Sequence, residues 1–182
     1  MKKAVFVFAV VCILLVSCRP AYIRHGVKDI HAERIRLEDS RAMFTVLDTG
    51  QVHGIYKAYL AEIDSINTYF KDQYSESAWQ LMTQYGQLKK PLKTYFEQYS
   101  NIQKDYDYSI LQLSNLEYDL REKNISNEQY DIYFKSEREA IDQLIMKSNL
   151  ISENAVRNVN RFNDLTPKMD SLIVVFKAGM KK

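Results

Sequence analysis

Asn124-Ile125-Ser126-Asn127-Glu128-Gln129-Tyr130 reads as a sharp reversal between two long helices, and the fold follows from that reading. Ser126 stands as an N-cap whose hydroxyl accepts from the Gln129 backbone while the Gln129 side chain reaches back, a capping box. Ile125 before it and Tyr130 after it form a hydrophobic staple, and Asn124 suits the left-handed position that closes the preceding helix. Upstream of the turn run Leu81, Tyr85, Leu88, Leu92, Tyr95, Tyr99, Ile102, Tyr106, Ser109, Leu113, Leu116 and Leu120. Downstream run Tyr130, Phe134, Glu137, Ile141, Leu144, Ser148, Ile151, Ala155, Asn158, Phe162 and Leu165. Both series step by alternating fours and threes, the spacing of a coiled-coil seam. Folded about Ile125 they pair term by term, Leu116 with Phe134, Tyr106 with Leu144 and Tyr99 with Ile151. The expectation is an antiparallel helical hairpin over 78–165, closed by a turn at 124–126.

Composition extends that reading to the whole chain. Five Gly and three Pro in 182 residues, with almost no alternating strand pattern, argue for an all-α class: an elongated antiparallel bundle built on the hairpin. Thirteen Tyr fall largely on the seams, where the ring packs and the hydroxyl reaches the wet edge. Of the 25 Lys and Arg, Lys2 and Lys3 lie in a segment expected to be removed, which leaves the rest balanced against 23 Asp and Glu. No basic block marks a nucleic-acid footprint, so nucleic acid is not an expected partner.

Outside the hairpin, residues 29–48 form a weaker helical pattern, with Ile30, Leu37 and Phe44 a heptad apart and Ile35, Met43, Val46 and Leu47 filling in. Gly50 is placed to stop it. A second helix is expected over about 51–74, with Val52, Tyr56, Tyr59, Ile63, Ile66 and Phe70 as its seam. Ser77 with Gln80 is a further capping box. Pro91 predicts a kink rather than a break, because the seam keeps its phase across it. Thr166-Pro167 reads as an N-cap and N1 pair that restarts a terminal helix carrying Met169, Leu172 and Phe176. The β-branched run 172–176 leaves a strand as the alternative there.

Residues 1–18 carry the strongest functional signal. Lys2 and Lys3 precede an apolar run, Ala4 to Val16, which spans only about 20 Å as a helix and is too short to cross a bilayer comfortably. It is an export signal. The run ends in Leu15-Val16-Ser17-Cys18, which resembles the lipobox of bacterial lipoproteins. That resemblance implies cleavage after residue 17, a diacylglycerol thioether on the Cys18 sulfur and acylation of the freed amine. Two or three chains anchor firmly where one binds only marginally. Val11 is too bulky for Cys12 to serve, and cleavage removes Cys12, leaving no thiol for a disulfide, redox motif or metal site. Arg19 in place of Asp, and no acidic residue in Arg19-Pro20-Ala21-Tyr22-Ile23-Arg24, point by the same resemblance to the periplasmic face of an outer membrane in a Gram-negative source. The expected organisation is a signal peptide over 1–17, a lipidated tether over 18–28, and a helical bundle over 29–182. Five Arg or Lys between Arg19 and Arg36 read either as attraction to anionic headgroups or as a solvated tether.

Motifs for chemistry are scarce. His25, His31 and His53 stand in neither Glu-x-x-His nor His-x-x-x-His spacing, so no metal site is expected. Asp105/Asp107 and Glu137/Glu139 are two apart and do not share a helix face. Glu137 falls on the seam opposite Leu113, where a lone charge is costly, and is expected to snorkel outward or find a cationic partner. No phosphate loop, nucleophile elbow or Cys/His pair is present. No catalytic, metal or cofactor-binding residue is therefore assigned, and no enzyme is expected. The functional expectation is a lipid-anchored envelope protein acting as a structural or adaptor module through helical contacts, with a protein partner or with itself, where Ser109, Ser148 and Asn158 on the seams specify pairing. The alternative is a periplasmic carrier or holdase that binds a client or hydrophobic ligand between its helices.

Overall fold

A computed structural model describes residues 20–70 and 74–179. Cys18 and the signal segment lie outside the described residues. Five helices follow in order: α1 (Ala21–Thr45), α2 (Thr49–Tyr69), α3 (Glu76–Gly86), α4 (Lys89–Arg121) and α5 (Asn127–Gly179). The described residues contain no strand, and 172–176 is helical.

The turn forms as its residues dictate. The Gln129 N–H donates to Ser126 Oγ at 3.2 Å, and the Ser126 N–H donates to Gln129 Oε1 at 2.9 Å. Ahead of it α4 ends in a Schellman motif: the Asn124 N–H reaches the Asp119 carbonyl at 2.9 Å and the Lys123 N–H the Leu120 carbonyl. The left-handed residue is Lys123 (φ 59°), one place before the expected Asn124. Asn124 instead uses its side chain, Nδ2 donating to Asp119 Oδ1 at 3.0 Å.

In cross-section the bundle has three rods. α5 is one, unbroken for 53 residues or about 80 Å. α3 and α4 run antiparallel to it as the second. α1 and α2 together form the third, parallel to α5, because α1 packs on both α4 and α5 and α2 does the same further along. The hairpin register holds along the length: Asp105 meets Lys147 at 3.4 Å, and Tyr85 meets Phe162 with ring centroids 6.1 Å apart. All 23 expected seam residues are buried or half-buried. The core is continuous, from Ile23, Leu120 and Tyr130 at the turn end to Phe70 and Ile173 at the other.

Several boundaries differ from expectation, each for a physical reason. The tether expected over 18–28 is helix from Ala21 onward, with Ile23 and Gly26 buried. Pro20 flanks the helix as its N-cap, and Gly26 is a site of close approach. A Cβ there would stand 2.6 Å from Leu120 Cδ2 and 2.9 Å from Tyr130 Cζ. The apolar members of α1 were expected to include Ile35, Met43 and Val46, yet these are 46%, 68% and 83% exposed. The second seam position of α1 is filled by Gly26, Glu33 and Ser40, each three residues after Ile23, Ile30 and Leu37. Gly50 does not stop α1, which ends at Thr45; Asp48 caps α2 by accepting from the Gln51 N–H at 2.7 Å. Ser75, not Ser77, caps α3, accepting from the Ala78 N–H at 3.2 Å.

At Pro91 the helix is interrupted only by Gln87 and Leu88, whose backbones stay in the right-handed helical region. Tyr85, Leu88 and Leu92 remain in phase and fully buried, so the interruption is a kink within one rod. Thr166-Pro167 does not restart a helix. Pro167 sits inside α5, held by Phe162, Leu165, Met169 and Ile173 in the core, while Pro167 and Asn163 face solvent. Water can satisfy the Asn163 carbonyl that the proline leaves without an N–H.

Candidate functional site

The polar residues of the seams are used within the chain. Ser148 Oγ donates to the Ile145 carbonyl at 3.0 Å, which occupies its one proton. The 2.7 Å contact with Tyr106 is therefore donated by the tyrosine, and the 2.9 Å contact between Ser40 and Tyr106 by the serine. A directed chain Ser40→Tyr106→Ser148→Ile145 thus joins all three rods in the buried centre. Asn158 Nδ2 donates to the Asn154 carbonyl at 2.7 Å, and Ser109 is 7% exposed. All three face the core of the single chain.

Tyrosines also serve the helix breaks. Tyr95 places its one hydroxyl proton between the Phe44 and Leu47 carbonyls at the end of α1, where no helical N–H follows, and burial pushes its pKa up to about 12. Tyr59 donates to the Gly86 carbonyl where α3 ends, at 3.5 Å. Tyr130 donates to the Gly26 carbonyl at 3.1 Å, pinning the start of α1 to the start of α5. Tyr85 donates to Glu62 and stands 3.3 Å from Thr166 Oγ1, and burial raises the pKa of both Tyr85 and Glu62. Ten of the thirteen tyrosines are buried or half-buried; Tyr108, Tyr118 and Tyr133 are not.

Charge then fastens the polar helix α1. Arg34 reaches Glu117 at 3.2 Å and Arg41 reaches Asp107 at 2.7 Å, both on α4. Glu33 is 7% exposed and meets Arg138 of α5 at 3.2 Å, while Arg36 bridges Glu33 (2.9 Å) and Asp142 (2.6 Å). Arg34 and Arg36, two of the five basic residues between Arg19 and Arg36, thus hold α1 to the bundle. The apolar residues of α1 alone do not reveal Glu33, Ser40 or their partner residues Arg138 and Tyr106. Glu33 and Ser40 carry one signal in the sequence, as the polar positions three residues after Ile30 and Leu37.

His25, His31 and His53 are exposed on α1 and α2, and the His53 ring lies 4.9 Å from that of Phe96. Among the described residues no group of three His, Cys, Asp or Glu is placed to hold a metal ion. Asp105 and Asp107 point to different rods, pairing with Lys147 and Arg41 respectively. Glu137 is half-buried beside Leu116, Asp119 and Tyr133, has no ion pair among the described residues, and has its pKa raised by burial. A cleft of about 520 Å³ opens where α1 gives way to α2 and is lined by Met43, Val46, Leu47 and Val156 with Glu153 and Arg157. At the end of the bundle away from the turn, Phe70, Tyr74, Trp79 and Phe176 form an aromatic cluster whose Trp79 is 60% exposed. No described helix is long and apolar enough to cross a membrane. No known family, curated relative or solved structure matches the chain.

Proposed function

We propose that this protein is a lipid-anchored arm of a bacterial cell envelope, a structural or adaptor module that carries a contact surface at a set distance from its membrane. The observation that supports this most is the docking of the first turns of α1. Ile23 is 1% exposed and Gly26 is packed on Leu120 and Tyr130, so ordered structure begins almost at once after Cys18. Two residues, Arg19 and Pro20, separate Cys18 from Ala21, and three Cα steps of about 3.6 Å hold the Cys18 backbone within roughly 11 Å of the start of α1. Acyl chains on Cys18 thus seat the hairpin end at the lipid, and the Trp79 end lies tens of ångströms away along the rods. In a Gram-negative source the periplasmic face of the outer membrane is the site that Arg19 favours.

The test is lipid labelling with fractionation. The full-length chain should incorporate labelled fatty acid and sediment with membranes, and Cys18→Ala should lose both. A Cys18→Ala chain that remains labelled would refute the anchor. Crosslinking in intact cells from the Trp79 end should then capture an envelope protein, the contact the arm exists to make. A second reading, a carrier of a hydrophobic ligand, is favoured by the cleft at Met43, Val46, Leu47 and Val156. Under that reading a fluorescent fatty-acid probe should bind, and Val156→Glu should displace it.

A further inference from the structure

The heptad reading assigns one seam to each helix, but α4 carries two. Opposite its buried face, Lys104, Tyr108, Leu111, Asn115, Tyr118 and Glu122 repeat at intervals of four, three, four, three and four, the spacing of the inner seam. All six are exposed, with Tyr108 at 62%, Leu111 at 55% and Tyr118 at 63%. Large apolar side chains at seam spacing on the solvent face mark a helix that lacks a partner. Among the described residues Lys104 and Glu122 have no ion pair, whereas Asp105, Asp107, Glu117 and Arg121 around them do.

The stripe is complementary to itself when reversed. Lys104 and Glu122, Tyr108 and Tyr118, and Leu111 and Asn115 are all centred on the level of Leu113. We infer that α4 of one copy packs antiparallel on α4 of a second copy about a twofold axis at that level. Lys104 then faces Glu122 of the second copy, Tyr108 faces Tyr118 of the second copy, and Leu111 faces Asn115 of the second copy, each pairing occurring twice. A parallel arrangement sets Lys104 against Lys104 and Glu122 against Glu122, so charge selects the antiparallel one.

The contact runs from 104 to 122, about 27 Å of helix. Its three apolar side chains bury on the order of 350 Å² per chain, less than half of the roughly 800 Å² per partner of a stable dimer. The association is accordingly weak in dilute solution. Confinement of both copies to one surface raises its effective concentration and its occupancy. The pairing does not itself rest on acylation of Cys18.

The experiment places a photo-crosslinking benzoylphenylalanine at Tyr108 of the full-length chain in intact cells that co-express two differently tagged copies. The expected product carries both tags, with the crosslink mapped by mass spectrometry to the second copy near Tyr118. Lys104→Glu should cut its yield about tenfold, since two exposed ion pairs become repulsive, and Lys104→Glu with Glu122→Lys should restore it. Both charges are exposed, and unchanged circular dichroism of the variants checks that the fold survives. A crosslink to Tyr108 of the second copy, a crosslink only to other proteins, no crosslink, or a double charge reversal that fails to rescue would each overturn the inference.

Discussion

Tyr106→Phe removes one oxygen from the centre of the bundle and tests how the three rods are joined. The hydroxyl donates to Ser148 at 2.7 Å and accepts from Ser40 at 2.9 Å, and Ser148 and Ser40 are 0% and 6% exposed. Each buried neutral hydrogen bond contributes a net ~1 kcal/mol, and a donor left without an acceptor costs ~1–3 kcal/mol. Ser40 can recover part of that by turning its proton back to a carbonyl of its own helix. The expected loss is about 2 kcal/mol, read from urea unfolding followed by far-UV circular dichroism. The triple change Ser40→Ala, Tyr106→Phe, Ser148→Ala removes every member of the chain together and should cost less than the sum of the three singles. A Tyr106→Phe loss under about 0.5 kcal/mol, or strictly additive singles, would refute the directed chain.

Two further changes probe the turn end and the far end. Gly26→Ala drives a Cβ to within 2.6 Å of Leu120 Cδ2 and 2.9 Å of Tyr130 Cζ, and overpacking of this kind should cost about 1–3 kcal/mol, seen as faster amide exchange in the first turns of α1. At Glu62, burial raises the pKa, the Tyr85 hydroxyl opposes that and Asp170 adds to it, so the protonated carboxyl is the better fit to the folded state. Its stabilising effect is complete at pH values below the unfolded pKa near 4.3 and is lost as pH rises through the folded one. Glu62→Gln should therefore gain in melting temperature over the natural chain from pH 4 to pH 7; a gap that narrows over that range would contradict the assignment.

The hairpin is legible in the sequence because its signals are local. Ser126, Gln129, Ile125 and two uninterrupted heptad series each specify their own contacts. α1 is less legible because half of its seam is polar. Gly26, Glu33 and Ser40 look like solvent residues until Tyr130, Arg138 and Tyr106 come against them from 66 to 105 positions away. Pro167 misleads for a related reason: its local preference is to begin a helix, and core contacts on both sides override it. The polar seam residues Ser109, Ser148 and Asn158 are visible as anomalies in the sequence, and Ser148 and Asn158 find their partners within the hairpin, at Tyr106 and at carbonyls of their own helix, while Ser40 of the third rod joins through Tyr106. The outer stripe of α4 follows the same spacing rule as the inner one and stands in the sequence beside it.

The central claim, a rigid arm whose first helix is docked rather than tethered, is tested most directly by one distance across the α1–α2 break. Spin labels at the exposed residues Lys28 and Lys57 lie on the same rod on either side of residues 46–48. Helical steps of 1.5 Å on either side of the three-residue break put them roughly 40–50 Å apart, and double electron–electron resonance should return a single narrow distribution in that range. A broad distribution, or one centred well away from that range, would show that α1 moves independently of the bundle and would contradict the account.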